Sequence, residues 1–168
     1  MKALSVKNTK ELMSLLLTGE AFDLFFTEKC TLTTFMTYEI NGAVKKGYFS
    51  PEEEKLLAAE YETGYVLWKR VKPVIFSAVK GDRPPLSFNI VLHAGDNYMK
   101  RLKERTDLGE AADALIALTL NIRFENGNLT LMTGSSYSTF VVSRVIDDIW
   151  DSDLITSMDT LGIKYDII

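Results

Sequence analysis

The sequence predicts an α+β protein with a mostly antiparallel sheet and helices gathered on one face. Three observations carry that reading. Short runs rich in β-branched and aromatic residues alternate with amphipathic helical segments, in the order βαβββ, helix, βαβ, helix, βββ, helix. Asn-Gly pairs at Asn41-Gly42 and Asn126-Gly127 stand between strand-like runs, where tight antiparallel hairpins need left-handed residues. The chain also repeats itself at an offset of 62, through Lys7/Lys69, Lys10/Lys72, Leu12/Val74, Met13/Ile75, Leu17/Val79, Gly19/Gly81, Leu24/Leu86 and Phe26/Phe88. The repeat predicts a single domain over 1–168 made of two pseudo-duplicated βαβββ units, about 1–63 and 64–168.

Met1 to Val6 reads as a short strand. Asn8 followed by Glu11 fits a capping box, and Leu12, Leu15 and Leu16 give the helix its apolar stripe before Gly19 stops it. Phe22 to Phe26 reads as a buried strand, and Thr31 to Ile40 as a second one. Asn41-Gly42 then turns the chain into a partner strand over Ala43–Phe49. Ser50-Pro51-Glu52-Glu53 is a helix start with an N-cap, a first-turn proline and a capping glutamate, and its helix is expected to end near Tyr61. In the second copy, Pro73 opens the helix and Leu86, Phe88, Ile90 and Leu92 share one strand face. Asp96 caps a short basic helix. Leu115–Phe124 and Leu129–Thr133 form a hairpin, Thr139–Val142 adds a strand, and a last helix from Ser143 ends at Gly162.

A chain of 168 residues, 46% hydrophobic and 25% charged, can bury a full core without a staple. Its single cysteine, Cys30, excludes an internal disulfide and suits a reducing compartment. No apolar run approaches the roughly 20 residues of a membrane span, and the start of the chain lacks the basic leader of a signal peptide. A cytoplasmic, bacterial-type protein is expected. The net charge of −4 is unevenly spread: residues 64–106 hold nine Lys and Arg against three Asp and Glu, a net +6, whereas 107–168 hold three against ten, a net −7. Such a dipole can steer an anionic partner, although solvated faces of opposite sign are the commoner origin.

The residues for several chemistries are missing. Cys30 and the one histidine, His93, lack a surrounding nucleophile signature, and together they cannot complete a zinc ligand set. No P-loop, dinucleotide fingerprint or nucleophile elbow occurs. Asp147, Asp148, Asp151 and Asp153 are the densest carboxylates, but no glycine-turned loop makes them a cation site. No cofactor and no metal are expected, and no reaction is nominated.

The repeated βαβββ order and the hairpin stretch from Leu118 to Leu131 resemble the domains of sliding DNA clamps. That resemblance implies a DNA-clamp-like fold whose helices present Lys7, Lys10, Lys69, Lys72, Lys100 and Arg101 to DNA, and self-association into a homo-oligomer. Over its whole length the chain also resembles a family of small bacterial proteins without an assigned function, through Leu17-Thr18-Gly19-Glu20-Ala21-Phe22-Asp23, Pro85-Leu86-Ser87-Phe88 and Leu120-Asn121-Ile122-Arg123.

Two functional readings remain open. In the first, Lys69, Arg70, Lys72, Lys100, Arg101, Lys103 and Arg105 merge into one patch on a non-enzymatic binding or scaffold module that contacts nucleic acid or another anion. In the second, aromatics such as Tyr38, Tyr48, Phe49, Trp68 and Trp150 line a pocket between the halves of a small-molecule- or protein-binding domain, or an enzyme of an unfamiliar kind.

Overall fold

The computed structural model of the chain describes every residue except Ala59, Glu62 and Asp82, with Thr106 described by its backbone alone. It is an α+β protein built on one eight-stranded sheet. The elements run β1 (Ala3–Val6), α1 (Thr9–Leu17), β2 (Phe26–Thr33), β3 (Thr37–Asn41), α2 (Pro51–Leu57), β4 (Val66–Leu67) and α3 (Trp68–Val79). They continue with β5 (Ser87–His93), α4 (Asp96–Lys103), a 3-10 turn, α5 (Gly109–Ala114), β6 (Leu115–Glu125), β7 (Asn128–Tyr137), α6 (Val145–Thr160) and β8 (Tyr165–Ile167). The strand order is β3-β2-β5-β6-β7-β1-β8, with β4 attached to β2. Every pairing is antiparallel.

Alternation along the strands separates the two faces. Leu32, Ile90, Leu120, Ile122, Leu129 and Leu131 are buried on one face, together with core side chains from α1, α3, α4, α5 and α6. The opposite face carries a cross-strand row of Thr31, Asn89, Arg123, Thr130 and Ser5. Burying apolar side chains of one period-two set and leaving the polar set in water is what a helix-covered antiparallel sheet requires.

Trp68 locks α3 onto α1: it is fully buried, and its indole Nε1 donates to the Leu16 carbonyl at 2.7 Å. Ser50 and Glu53 form the expected capping box at the start of α2. Asn126 and Gly127 adopt φ of +52° and +79° between β6 and β7, the left-handed pair that a two-residue hairpin needs.

Several local expectations are corrected. Phe22 and Phe26 are both buried, but the strand begins only at Phe26, and residues 22–25 form a turn. β2 pairs with β3 through a tight turn at Thr34–Met36, so the hairpin does not turn at Asn41-Gly42. The segment after it contributes a single bridge, Ala43 to Tyr65, in place of a strand over 43–49. Gly42 serves close approach: a Cβ there would stand 1.7 Å from the Thr27 carbonyl oxygen. The helix from Pro51 ends at Leu57, short of Tyr61, and its expected course crosses Ala59, outside the described residues. Pro73 lies inside α3, because β4 runs straight into the helix at Trp68. Asn8 makes no side-chain cap; its amide bridges to Gly162 and Lys164 and ties α1 to the chain before β8. Gly95, not Asp96, is the N-cap of α4. Residues 139–142 form no strand, and β8, which the sequence reading missed, closes the sheet on β1.

The 62-residue offset carries the order β1-α1-β2 onto β4-α3-β5, but the matched positions differ in surroundings. Leu12 is buried whereas Val74 is 56% exposed. Lys10 is exposed, whereas the Lys72 ammonium is paired with Asp23 and donates to the Gly19 carbonyl at 2.7 Å. Among the described residues no helix is long and apolar enough to cross a membrane.

Candidate functional site

Two segments converge beside α4. The turn over residues 19–25 brings in Leu24 and Phe25, and a Cβ at Gly95 would meet the Leu24 carbonyl oxygen at 2.8 Å, so glycine lets α4 start against that turn. From the other side α6 presents Trp150 and Asp153, which stand three positions apart and so project from neighbouring points of one helical face. Tyr98 and Arg101 stand at the same spacing on α4. Between them lies a cleft of about 620 Å³ whose apolar wall is Leu24, Phe25, Leu67, Tyr98 and Trp150.

The floor is a row of rings. Phe25 and Trp150 have centroids 6.4 Å apart and Trp150 and Tyr98 5.2 Å, while Phe22, buried and not part of the lining, stands 5.9 Å from Phe25. Each polar tip is engaged. The Trp150 indole Nε1 donates to the Thr119 carbonyl at 2.9 Å, and the Tyr98 hydroxyl donates to Asp153 at 2.6 Å. Burial, and then the Asp153 carboxylate, raise the Tyr98 phenol above its ordinary value, so it stays a neutral donor across the physiological range.

The predicted cations do not act as one set. Arg70 pairs with Glu60 through Nε at 2.9 Å, and this guanidinium holds the Glu60 carboxyl below the usual range. Arg105 pairs with Asp107 at 2.7 Å, and Lys72 with Asp23. Lys100 has a partner of its own. Lys69, Arg101 and Lys103 are exposed and form no ion pair among the described residues, and of these only Arg101 lines the aromatic cleft. Lys72 is therefore structural. Its side chain and that of Asp23 are 15% and 20% exposed. Replacing one partner leaves the other a half-buried, uncompensated charge, so Lys72→Met should cost about 2 kcal/mol in urea unfolding, with Asp23→Asn added on top recovering part of it.

Of the five aromatics nominated from sequence, only Trp150 lines the cleft. Trp68 belongs to the core, and Tyr48 and Phe49 make their own edge contact at 5.0 Å. Tyr98 was legible only as an aromatic among basic residues; Phe25 and Leu67 carried no signal. Cys30 is buried and its thiol is pushed up to about 12, which makes it inert. The carboxylates of α6 take separate roles: Asp147 accepts from Ser135 and Tyr137, Asp151 from Thr133, and Asp153 from Tyr98. Among the described residues no three His, Cys, Asp or Glu side chains group as metal ligands.

The sequence profile of DUF5721, a family of unknown function, matches residues 15–166, nearly the whole fold just described. The chain belongs to DUF5721. The matched span contains every residue of the cleft and omits β1 and most of α1. No curated protein and no solved structure matches the chain.

Proposed function

We propose that this DUF5721 member is a binding protein for a small anion with an apolar, ring-bearing body, held between α4 and α6. The observation that carries the reading is Arg101, exposed and without an ion pair among the described residues, beside a row of aromatic rings. The cleft falls in the size range of small-molecule sites, and few polar groups among apolar walls is their usual character. Of its other charged groups, Glu60 is paired with Arg70, Asp96 and Lys100 have partners of their own, and Asp153, still a carboxylate, accepts from the Tyr98 hydroxyl. Glu20, exposed at the rim, is left to accept a ligand hydroxyl or amine. A planar guanidinium binds carboxylate or phosphate with two parallel hydrogen bonds, and aromatic faces bury the body of the same ligand.

A clamp-like contact with duplex DNA draws less support, because Arg70, Lys72 and Arg105 have their charges neutralised by Glu60, Asp23 and Asp107. The lone buried thiol fits residence in a reducing compartment. The reading is tested by thermal unfolding with 4-phenylbutyrate, its neutral amide, its amine analogue and a short duplex. At about 100 times its Kd a ligand of the folded state adds about 2.7 kcal/mol. For a chain of this length that is a rise of about 5–10 °C. The rise should come with the carboxylate alone and vanish in Arg101→Ala. Equal shifts with the neutral amide, or stabilisation by the duplex alone, would overturn it.

A further inference from the structure

The far flank of α4 holds a second cavity, and the pair of side chains behind it is the least expected arrangement in the molecule. β2 and β5 lose register between Thr27 and Lys29: Thr27 faces Leu92, Lys29 faces Val91, and Glu28 faces no residue of β5. Such a bulge re-aims the side chain of the extra residue, and bulges are enriched beside functional sites. Here the Glu28 carboxylate reaches across to His93, with Oε2 2.7 Å from Nε2. His93 is the only histidine of the chain, its side chain is 17% exposed, and the Tyr65 ring lies against it with centroids 4.9 Å apart. The carboxylate fixes the ring orientation and commits Nε2, so Nδ1 is the nitrogen left for a ligand.

His93 lines a cavity of about 530 Å³ together with Tyr65, Met99, Lys103, Ile116 and Ser136. Asp96 and Lys100 line both this cavity and the aromatic cleft, and so form the ridge between them, with Tyr98 and Arg101 on one flank and Met99 and Lys103 on the other. The charged and titratable groups around the imidazole are Glu28 from β2, Tyr65 from the segment before β4, and Asp96, Lys100 and Lys103 from α4. β6 and β7 contribute only Ile116, Ala117, Leu118 and Ser136. Glu28 is occupied by His93 and Asp96 by its own partner, whereas Lys103 makes no ion pair among the described residues. The donors left over come from separate elements: the Lys103 ammonium, the Ser136 and Tyr65 hydroxyls, and the imidazole once protonated. That is a donor set for a group with several oxygens pointing in different directions.

We propose that this cavity is a second binding site, independent of the aromatic cleft, for a tetrahedral oxyanion of the phosphate or sulfate class, with protonated His93, braced by Glu28, as one of its donors. The protonated ring binds the anion more tightly than the neutral one, because the imidazolium adds a positive donor that the neutral ring lacks.

Sulfate keeps its two charges from pH 8 to pH 6 and is the probe. Titrated into the ¹⁵N-labelled protein at constant ionic strength, it should shift the amide signals around Tyr65, His93, Lys103 and Ser136, with at least about fivefold tighter binding at pH 6 than at pH 8. Lys103→Gln, a substitution on an exposed helix position, should weaken binding about tenfold at both pH values. Lys46→Gln, an exposed lysine that lines neither cavity, should leave it unchanged. Butyl phosphate, which has no ring for the aromatic cleft to hold, distinguishes the source when read at the His93 and Ser136 amides: tighter binding than sulfate assigns the site to an ester whose body meets Met99 and Ile116, and binding no tighter assigns it to the free anion. Shifts scattered over surface lysines, equal affinity at the two pH values, or indifference to Lys103→Gln would each overturn the proposal.

Discussion

Gly42→Ala should be the most damaging single-methyl change in the chain, removing more than about 4 kcal/mol, the range reserved for a specific structural failure. The added Cβ would stand 1.7 Å from the Thr27 carbonyl oxygen and 2.7 Å from its carbon, and both are backbone atoms that cannot rotate away. Relief requires the chain at Gly42 to lift off β2. That would break the bonds from the Gly42 amide to the Glu28 carbonyl and from the Val66 amide to the Gly42 carbonyl, both 2.9 Å. It would also loosen the bulge that aims Glu28 at His93. Gly127→Ala is the matched control. Its φ is +79° but nothing lies within 4 Å of the new methyl, so the cost is the left-handed conformation alone, about 1–2 kcal/mol. Chemical denaturation of the two variants gives the comparison, and equal midpoints would refute the close-approach argument.

Trp150→Ala should cost about 3–5 kcal/mol and abolish ligand binding together. The ring is 6% exposed, touches Phe25 on one side and Tyr98 on the other, and donates to the Thr119 carbonyl on β6. Its loss opens a void between α6, the sheet and the turn before β2, and removes the centre of the cleft floor. Trp150→Phe keeps an aromatic face but loses the indole donor, so it should retain the fold at a smaller cost. A Trp150→Ala protein as stable as the parent would mean that the ring does not bear on the core.

The two Asn-Gly pairs show how far the sequence could be read. Asn126-Gly127 has the left-handed geometry that its residues advertise, and the long strands on either side are unambiguous in period. Asn41-Gly42 has the same letters but a different reason: its glycine makes room for a neighbouring strand, a tertiary fact that no local pattern encodes. The interior Pro73 is a similar case, since a strand feeding directly into a helix moved the helix start back to Trp68. The charge asymmetry was legible, but the fate of each charge was not. Lys72, Arg70 and Arg105 are neutralised by Asp23, Glu60 and Asp107, and for Lys72 the partner is supplied by a distant segment. Of the cleft, Trp150 and Arg101 were nominated in separate hypotheses. Only the packing of α4 beside α6 brings them to one place.

The central claim is that Trp150 and Arg101 serve a single ligand, and tryptophan emission during titration with 4-phenylbutyrate tests it most directly. The chain has two tryptophans; Trp68 is fully shielded in the core and Trp150 borders the cleft. A saturable emission change is expected in the parent protein, silence in Trp150→Phe, and in Arg101→Ala an affinity no better than that for the neutral amide. An unchanged response in Trp150→Phe, or an Arg101→Ala protein that still prefers the carboxylate over the amide, would contradict it.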